Sequence, residues 1–273
     1  QKQLADMAAA LSGGAQAEAA DDVDELSRSV KLEEEEYRTI LKKKLGVSLD
    51  ELLSWYREEM EKTRANVFAI AGQLDVPEPA PQTMREVTDL LFKYEAPCQS
   101  PKEMLERANS YLQRTRALAH EYVRLPEDET CICVDVPRSC RDSYPWGGYE
   151  GGDFRFQPLR GQMFLNGSNY RNITDGWIKL NSLHEAYPGH HVQYIRAVVD
   201  DRPETVRIGA KRVPILEGTC LRTERVFEKL FAEDPFFPLF VAYRQHHASV
   251  RVCADLMLFY YGNSLEEVIR LYQ

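Results

Sequence analysis

The sequence predicts a mainly α-helical protein with a small β-sheet, and three observations point there. Helix-start signals recur: Ser48-x-x-Glu51, Thr83-x-x-Glu86 and Ser100-Pro101-x-Glu103 each set a carboxylate three residues after a hydroxyl, as a capping box requires. The run Cys131-Ile132-Cys133-Val134-Asp135-Val136 alternates like a half-buried strand. The stretch His184-Glu185-Ala186-Tyr187-Pro188-Gly189-His190-His191 gathers three imidazoles and a carboxylate, a set that can hold a divalent metal and activate water.

In chain order, residues 1–30 are rich in Ala, Gly and Asp and predict a loose arm or partial helix. Glu33 to Glu36 ahead of Lys42 to Lys44 suit a solvated helix whose dipole the charges complement. The Ser48 box opens a helix to about Leu74, and Pro77, Pro79 and Pro81 make a stiff connector. Thr83 and Ser100 open two more helices, the second with Pro101 at its first position. Trp55, Phe68, Leu91 and Tyr111 are read as core. From 129 to 170 the character changes to strands: 131–136, Phe154-Arg155-Phe156, and Gln162 to Asn166, with Gly147, Gly148, Gly151 and Gly152 in the turns. A strand just ahead of the histidine stretch suits pairing with an extended peptide along a free edge. This makes Phe164 and Asn166 candidate substrate-binding residues, although a plain structural hairpin fits the same residues. The expected division is 1–128, helical, and 129–273, a small sheet with the metal-site helices; one continuous domain fits as well.

The last helix is expected from about Phe237 to Tyr261. Arg244, His247, Arg251 and Asp255 fall three or four apart along one side, against apolar Val241, Val252, Leu256 and Phe259. Arg251 and Asp255 suit an i,i+4 pair. His247 and Arg251 are candidate catalytic groups, and Arg244 and Tyr260 candidate substrate contacts, since such donors stabilise an oxyanion or grip a carboxylate.

Composition is that of a globular chain: of 273 residues 44% are hydrophobic and 28% charged, enough for a core. The net charge of −9 argues against a nucleic-acid surface, and no run reaches the ~20 apolar residues of a membrane span. Six cysteines are too sparse for a disulfide scaffold and are read as reduced, packed thiols. With no visible signal-peptide pattern, the cytoplasm is the default location. Gln1 in place of Met and an end at Gln273 suggest part of a longer protein, which keeps a secreted or periplasmic form open.

The histidine stretch departs from the helical zinc-hydrolase motif H-E-x-x-H, because its fifth position is Pro188. On an unbroken helix His190 would lie about 240° round from His184, and His191 roughly 10 Å up the axis. Neither could share an ion with His184 at Zn–N distances of about 2.0–2.1 Å. Pro188 withholds an N–H from the carbonyl of His184, and Gly189 permits a wide turn or bulge. The expected ligands are therefore His184 and His190, with His191 as the alternative, and Glu185 as the general base. A structural helix corner is the competing reading. A third ligand is expected from a neighbouring helix, and Glu217 is the candidate. It lies beside an apolar stripe of Leu216, Cys220, Thr223, Phe227 and Leu230, in line with Leu221 and Glu224. Spacing alone equally suits a half-exposed surface glutamate.

The pattern His-Glu-x-Tyr-Pro-Gly-His-His resembles the bacterial family catalogued as domain of unknown function 885. The similarity extends to Glu217 through Glu224, to Arg251, Asp255, Gly262, Ser264, Glu266 and Glu267, and to Leu45 through Leu52. It implies a zincin-like (gluzincin-like) helical metallohydrolase with a glutamate as third ligand, which favours Glu217, and one zinc ion (Zn2+) per chain. The chain departs from the pattern at Thr219, Arg222 and Phe259, where Trp, Tyr and His are usual. The expected function is zinc-dependent hydrolysis of a peptide or small amide. Two alternatives stand beside it: a non-catalytic or degenerate metal-binding member, and a helical interaction module without metal.

Overall fold

In a computed structural model, residues 30–151, 159–209 and 212–272 are described. Their helices are α1 (Glu34–Ile40), α2 (Leu49–Ala71), α3 (Met84–Tyr94), α4 (Pro101–Tyr122), α5 (Asp175–Asn181), α6 (His190–Val199), α7 (Glu204–Gly209), α8 (Val213–Val226), α9 (Phe237–Asp255) and α10 (Leu265–Arg270). The strands are β1 (Thr130–Asp135), β2 (Gly147–Gly151) and β3 (Arg160–Leu165). The chain is thus mainly helical with a small sheet, as expected.

The capping signals act as read. Ser48 accepts from the Glu51 N–H at 3.1 Å and Ser100 from that of Glu103 at 3.1 Å. Thr83 Oγ1 accepts from the Glu86 N–H while Glu86 reaches back to the Thr83 N–H, so two otherwise orphaned donors are satisfied reciprocally.

The chain divides differently from the expected break near residue 128. One unit combines residues 1–87 with 242–273, and the other is 88–241. In the first, Tyr37, Leu41, Leu49, Leu52 and Tyr56 pack with Cys253 and Leu256, so the end of the chain completes the core of its beginning. Tyr37 donates to Asp255 at 2.6 Å, taking the carboxylate expected to pair with Arg251. Trp55, expected in a core, is 40% exposed.

In the second unit, α4 and α5 pack with the sheet through Met104, Ala108, Leu112, Cys131, Cys133, Met163, Leu165 and Ile178. The sheet order is β1-β3-β2, with β3 parallel to β1 and antiparallel to β2. Two expectations are corrected. Gly147, Gly148 and Gly151 form β2 rather than turns. A Cβ on Gly147 would lie 2.2 Å from the Phe164 carbonyl oxygen, so a strand without side chains at that end pairs more closely than a bulkier one. Consequently β3 is the middle strand, paired along both edges, and offers no free edge to a peptide. Asn166 is buried as a cap, its amide donating to the Arg141 and Tyr144 carbonyls. Phe164 packs edge-on against Tyr144. The expected strand at Phe154–Phe156 lies outside the described residues. All six cysteines are free. Among the described residues no helix is long and apolar enough to cross a membrane.

A buried ion cluster braces this unit. The Lys179 ammonium meets Asp175 at 2.8 Å, Glu95 at 3.2 Å, and Asp234; Arg107 shares Asp175. Burial, with the hydrogen bond to Asp234, pushes the Glu95 carboxyl up from the usual 4.5 to about 8, against the pull of Lys179. The folded state thus keeps a proton that the unfolded chain releases above about pH 4.5. That contribution is full below the unfolded value and is lost as pH rises through the folded one. Glu95→Gln, neutral at every pH, is expected to flatten the decline in stability between about pH 5 and about pH 8. Urea unfolding across that range checks this, and a slope unchanged from wild type would refute it.

Candidate metal centre

The histidine stretch makes two turns of different kinds. Helix α5 starts at Thr174, whose hydroxyl accepts from the Trp177 N–H. It runs into a wide π-helical turn, Ser182–Ala186, closed by the Tyr187 N–H on the Ser182 carbonyl at 2.9 Å. The helix then stops, as the missing N–H of Pro188 demands, and α6 begins at His190. Gly189 lies against the preceding turn. A Cβ there would fall 1.8 Å from the His184 carbonyl oxygen and 2.4 Å from that of Leu183. The requirement at this position is therefore close backbone approach.

That fold-back brings His184 and His190 together, with ring centroids 5.0 Å apart and planes at 86°. Their Nε2 atoms each lie 3.5 Å from Glu217, one facing Oε2 and the other Oε1. Both imidazoles are buried, whereas the Glu217 side chain is 51% exposed, so the cluster opens to solvent on the carboxylate side. The Nδ1 atoms are held from behind. His184 Nδ1 meets Glu224 at 2.6 Å, and His190 Nδ1 meets the Gln193 amide oxygen at 3.0 Å. Gln193 is itself tied to the Leu216 carbonyl. Glu217 and Glu224 lie seven apart on α8, two turns of one face, the line that the sequence marks out.

This donor set fits a divalent ion. Ligating histidines ordinarily give their second nitrogen to a carboxylate or amide oxygen, which fixes tautomer and aim. Glu224 is wholly buried, and its Oε2 has no hydrogen-bond partner. A buried carboxylate so poorly satisfied needs a positive centre nearby. Without an ion a proton supplies it. Burial opposes the charge on His184, but hydrogen bonds to Glu217 and Glu224 and the field of Glu185 prevail and raise it to about 9. His190 is raised against burial in the same way by Glu217 and Glu185. Bonds to the two imidazoles, outweighing burial, push Glu217 well below the carboxylate range. Glu185 is half-buried in the π turn, and its field at both histidines places its charge beside them.

His191 turns the other way. Its Nε2 meets Glu129 at 2.6 Å and its Nδ1 the Tyr149 hydroxyl at 2.9 Å. Both nitrogens are thus engaged away from Glu217, the carboxylate that His184 and His190 share. Glu129 also accepts from Tyr187 at 2.8 Å and Arg116 at 2.8 Å, and contacts His120 at 3.1 Å. Burial works against its charge, but the bonds from His191 and Tyr187 hold it at about 2. The sequence did not single out Glu129, Glu224 or Gln193 for these roles. The i,i+7 spacing of Glu217 and Glu224 was the available signal.

The remaining candidates belong to the first unit. Arg244 has Nε and Nη1 sealed from solvent without a hydrogen-bond partner. His247 packs on Tyr272 and is lowered to about 4 by burial and then by Arg244 and Arg251. Arg251 is exposed. Tyr260 stacks on Tyr37, and its hydroxyl donates to Glu34 at 3.3 Å. A second acidic group, Glu95, Asp175 and Asp234, is already filled by Lys179.

A family model described as bacterial protein of unknown function (DUF885) matches residues 1–273. The chain belongs to this family. It is also similar to a solved structure from Colwellia psychrerythraea described as a "putative lipoprotein", with a TM-score of 0.71 and 20% identity. That match covers 86% of this chain and 41% of the other, so the likeness speaks for the fold, and this chain spans less than half the length of that protein. No curated protein matches the chain.

Two outcomes are expected from this geometry. Gly189→Ala drives a Cβ into backbone that cannot yield and should lower stability by about 1–3 kcal/mol, read by urea unfolding; an unchanged midpoint would show that the turn tolerates a side chain. Glu224→Gln keeps the shape but removes the charge behind His184. It should weaken zinc binding by on the order of 10–100-fold in competition with a chromophoric chelator, with the fold intact by circular dichroism.

Proposed function

We propose that this protein is a zinc-dependent hydrolase of the zincin type, most simply a metallopeptidase acting on a peptide or related amide. One observation carries the reading: the Nε2 atoms of His184 and His190 face the two oxygens of Glu217 at 3.5 Å each, with both Nδ1 atoms secured. In this reading His184, His190 and Glu217 hold the ion, three protein ligands leaving a coordination position open, as in catalytic sites. The solvent-facing side of Glu217 supplies an approach.

When bound, zinc supplies a Lewis acid that polarises a carbonyl and acidifies water. The chain's own residues do the rest. Glu185, unneeded as a ligand and beside both histidines, takes a proton from the attacking water and returns it to the leaving amine. Glu224 and Gln193 hold the two Nδ1 atoms, which fixes the ring orientation and aims each Nε2 at the ion's position. Glu217 stays ionised across the neutral range, so it is ready as a ligand without losing a proton. The second unit alone supports this scheme, which assigns no step to His247 or Arg251.

Metal analysis of protein purified without chelator or added metal should find one zinc per chain. Glu185→Gln should keep that zinc and lose essentially all cleavage of a peptide library. Zinc retained by wild type with no cleavage at all would leave a metal-binding protein in place of an enzyme, and undiminished cleavage by the variant would sink the mechanism.

A further inference from the structure

The metal centre contains a donor that hydrolysis does not use. Cys220 lies one turn along α8 from Glu217 and is wholly buried. Its Sγ is 3.3 Å from His190 Nδ1 and 3.7 Å from the Gln193 amide oxygen. His184, His190 and Cys220 each offer a ligand atom, and these three atoms lie within 4.8 Å of one another. Of the other buried thiols, Cys98, Cys131 and Cys133 pack in the core around the sheet and Cys253 in the core of the first unit.

The two faces of the site therefore differ in chemical softness. On the open face stands an ionised carboxylate, a hard ligand. On the closed face stands a thiol, a soft one. A hard ion gains little by displacing the thiol proton while Glu217 is available. A thiophilic ion gains a strong metal–sulfur bond.

We propose that His184, His190 and Cys220 form a second ligand set within this site, one that captures a soft divalent ion such as cadmium. It rests on the same two histidines as the proposed hydrolase centre but does not need hydrolysis to occur. The Cys220 S–H bond breaks, its proton leaves to solvent, and the sulfur lone pair makes the bond to the ion; no electron transfer is involved. Reaching Cys220 from His190 uses Nδ1, so the Gln193 contact must yield.

The test is spectroscopic. Cadmium is added to the zinc-free protein, and the near-ultraviolet thiolate-to-cadmium absorption is followed with total bound metal. One equivalent bound, with the absorption rising in proportion, is the expected result. Cys220→Ser and Cys220→Ala should each lose the absorption while their circular dichroism matches wild type, and Glu217→Gln should retain it. Bound cadmium without the absorption in wild type would overturn the proposal, as would the absorption persisting in both Cys220 variants. The hydrolase reading fails separately: zinc without cleavage, alongside the cadmium band, would sink that reading and leave this one standing. Zinc-dependent cleavage with no band would do the reverse.

Discussion

A single buried carboxylate holds the histidine stretch in place. Glu129, at the entry to β1, is inaccessible to solvent and takes hydrogen bonds from Arg116 on α4, from Tyr187 in the turn and from His191 on α6. Helix, strand and turn are thus pinned to one charge. Removing any donor would leave part of a buried anion unsatisfied, which costs on the order of several kcal/mol for a charge. The same bonds orient the second half of the histidine stretch: with His191 turned inward to Glu129, its neighbour His190 falls on the side facing His184. Adjacent positions on a helix differ by about 100°, so fixing one histidine aims the other.

Backbone geometry does the remaining positioning. A regular helix would keep His184 and His190 on different sides. Here the π turn widens the end of one helix, Pro188 ends it, and Gly189 lets the restarted chain lie on the His184 carbonyl. Each residue has a separate physical part. Proline withholds the donor that would prolong the helix, and glycine removes the side chain that would hold the two turns apart. The pair of rings at 5.0 Å results from these two exclusions more than from any attraction between imidazoles, since the charge of His184 opposes a charge on His190.

Much of this was legible in the chain because it depends on local chemistry. Capping residues mark where α2, α3 and α4 begin, since they satisfy amides within three residues. Alternation marks β1, and the Pro-Gly break selects His190 over a helical fifth position. What was not legible depends on partners distant in sequence. Glycines 147, 148 and 151 carry turn chemistry in isolation and become a strand because β3 is there to pair with them. That pairing also closes the edge that would have made Phe164 and Asn166 substrate contacts. The return of residues 242–273 to the first unit is set by packing of Cys253 and Leu256 against Tyr37 and Leu49, which no local pattern announces. The role of Glu129 needs partners at 116, 187 and 191 at once.

The two acidic clusters of the second unit differ in what neutralises them, and the difference bears on function. Around Lys179, three carboxylates meet an ammonium carried by the chain itself, and the excess charge is absorbed by a proton on Glu95. That cluster is complete. Around His184, the carboxylates of Glu217 and Glu224 meet imidazole nitrogens, and the field of Glu185 reaches both histidines. Burial opposes a charge on His184, but its hydrogen bonds to Glu217 and Glu224 raise it to about 9, so a proton there meets the deficit. That proton occupies a nitrogen facing a carboxylate, at the place where a divalent ion would take both as ligands. In the proposed centre, binding of a divalent ion would therefore release that proton.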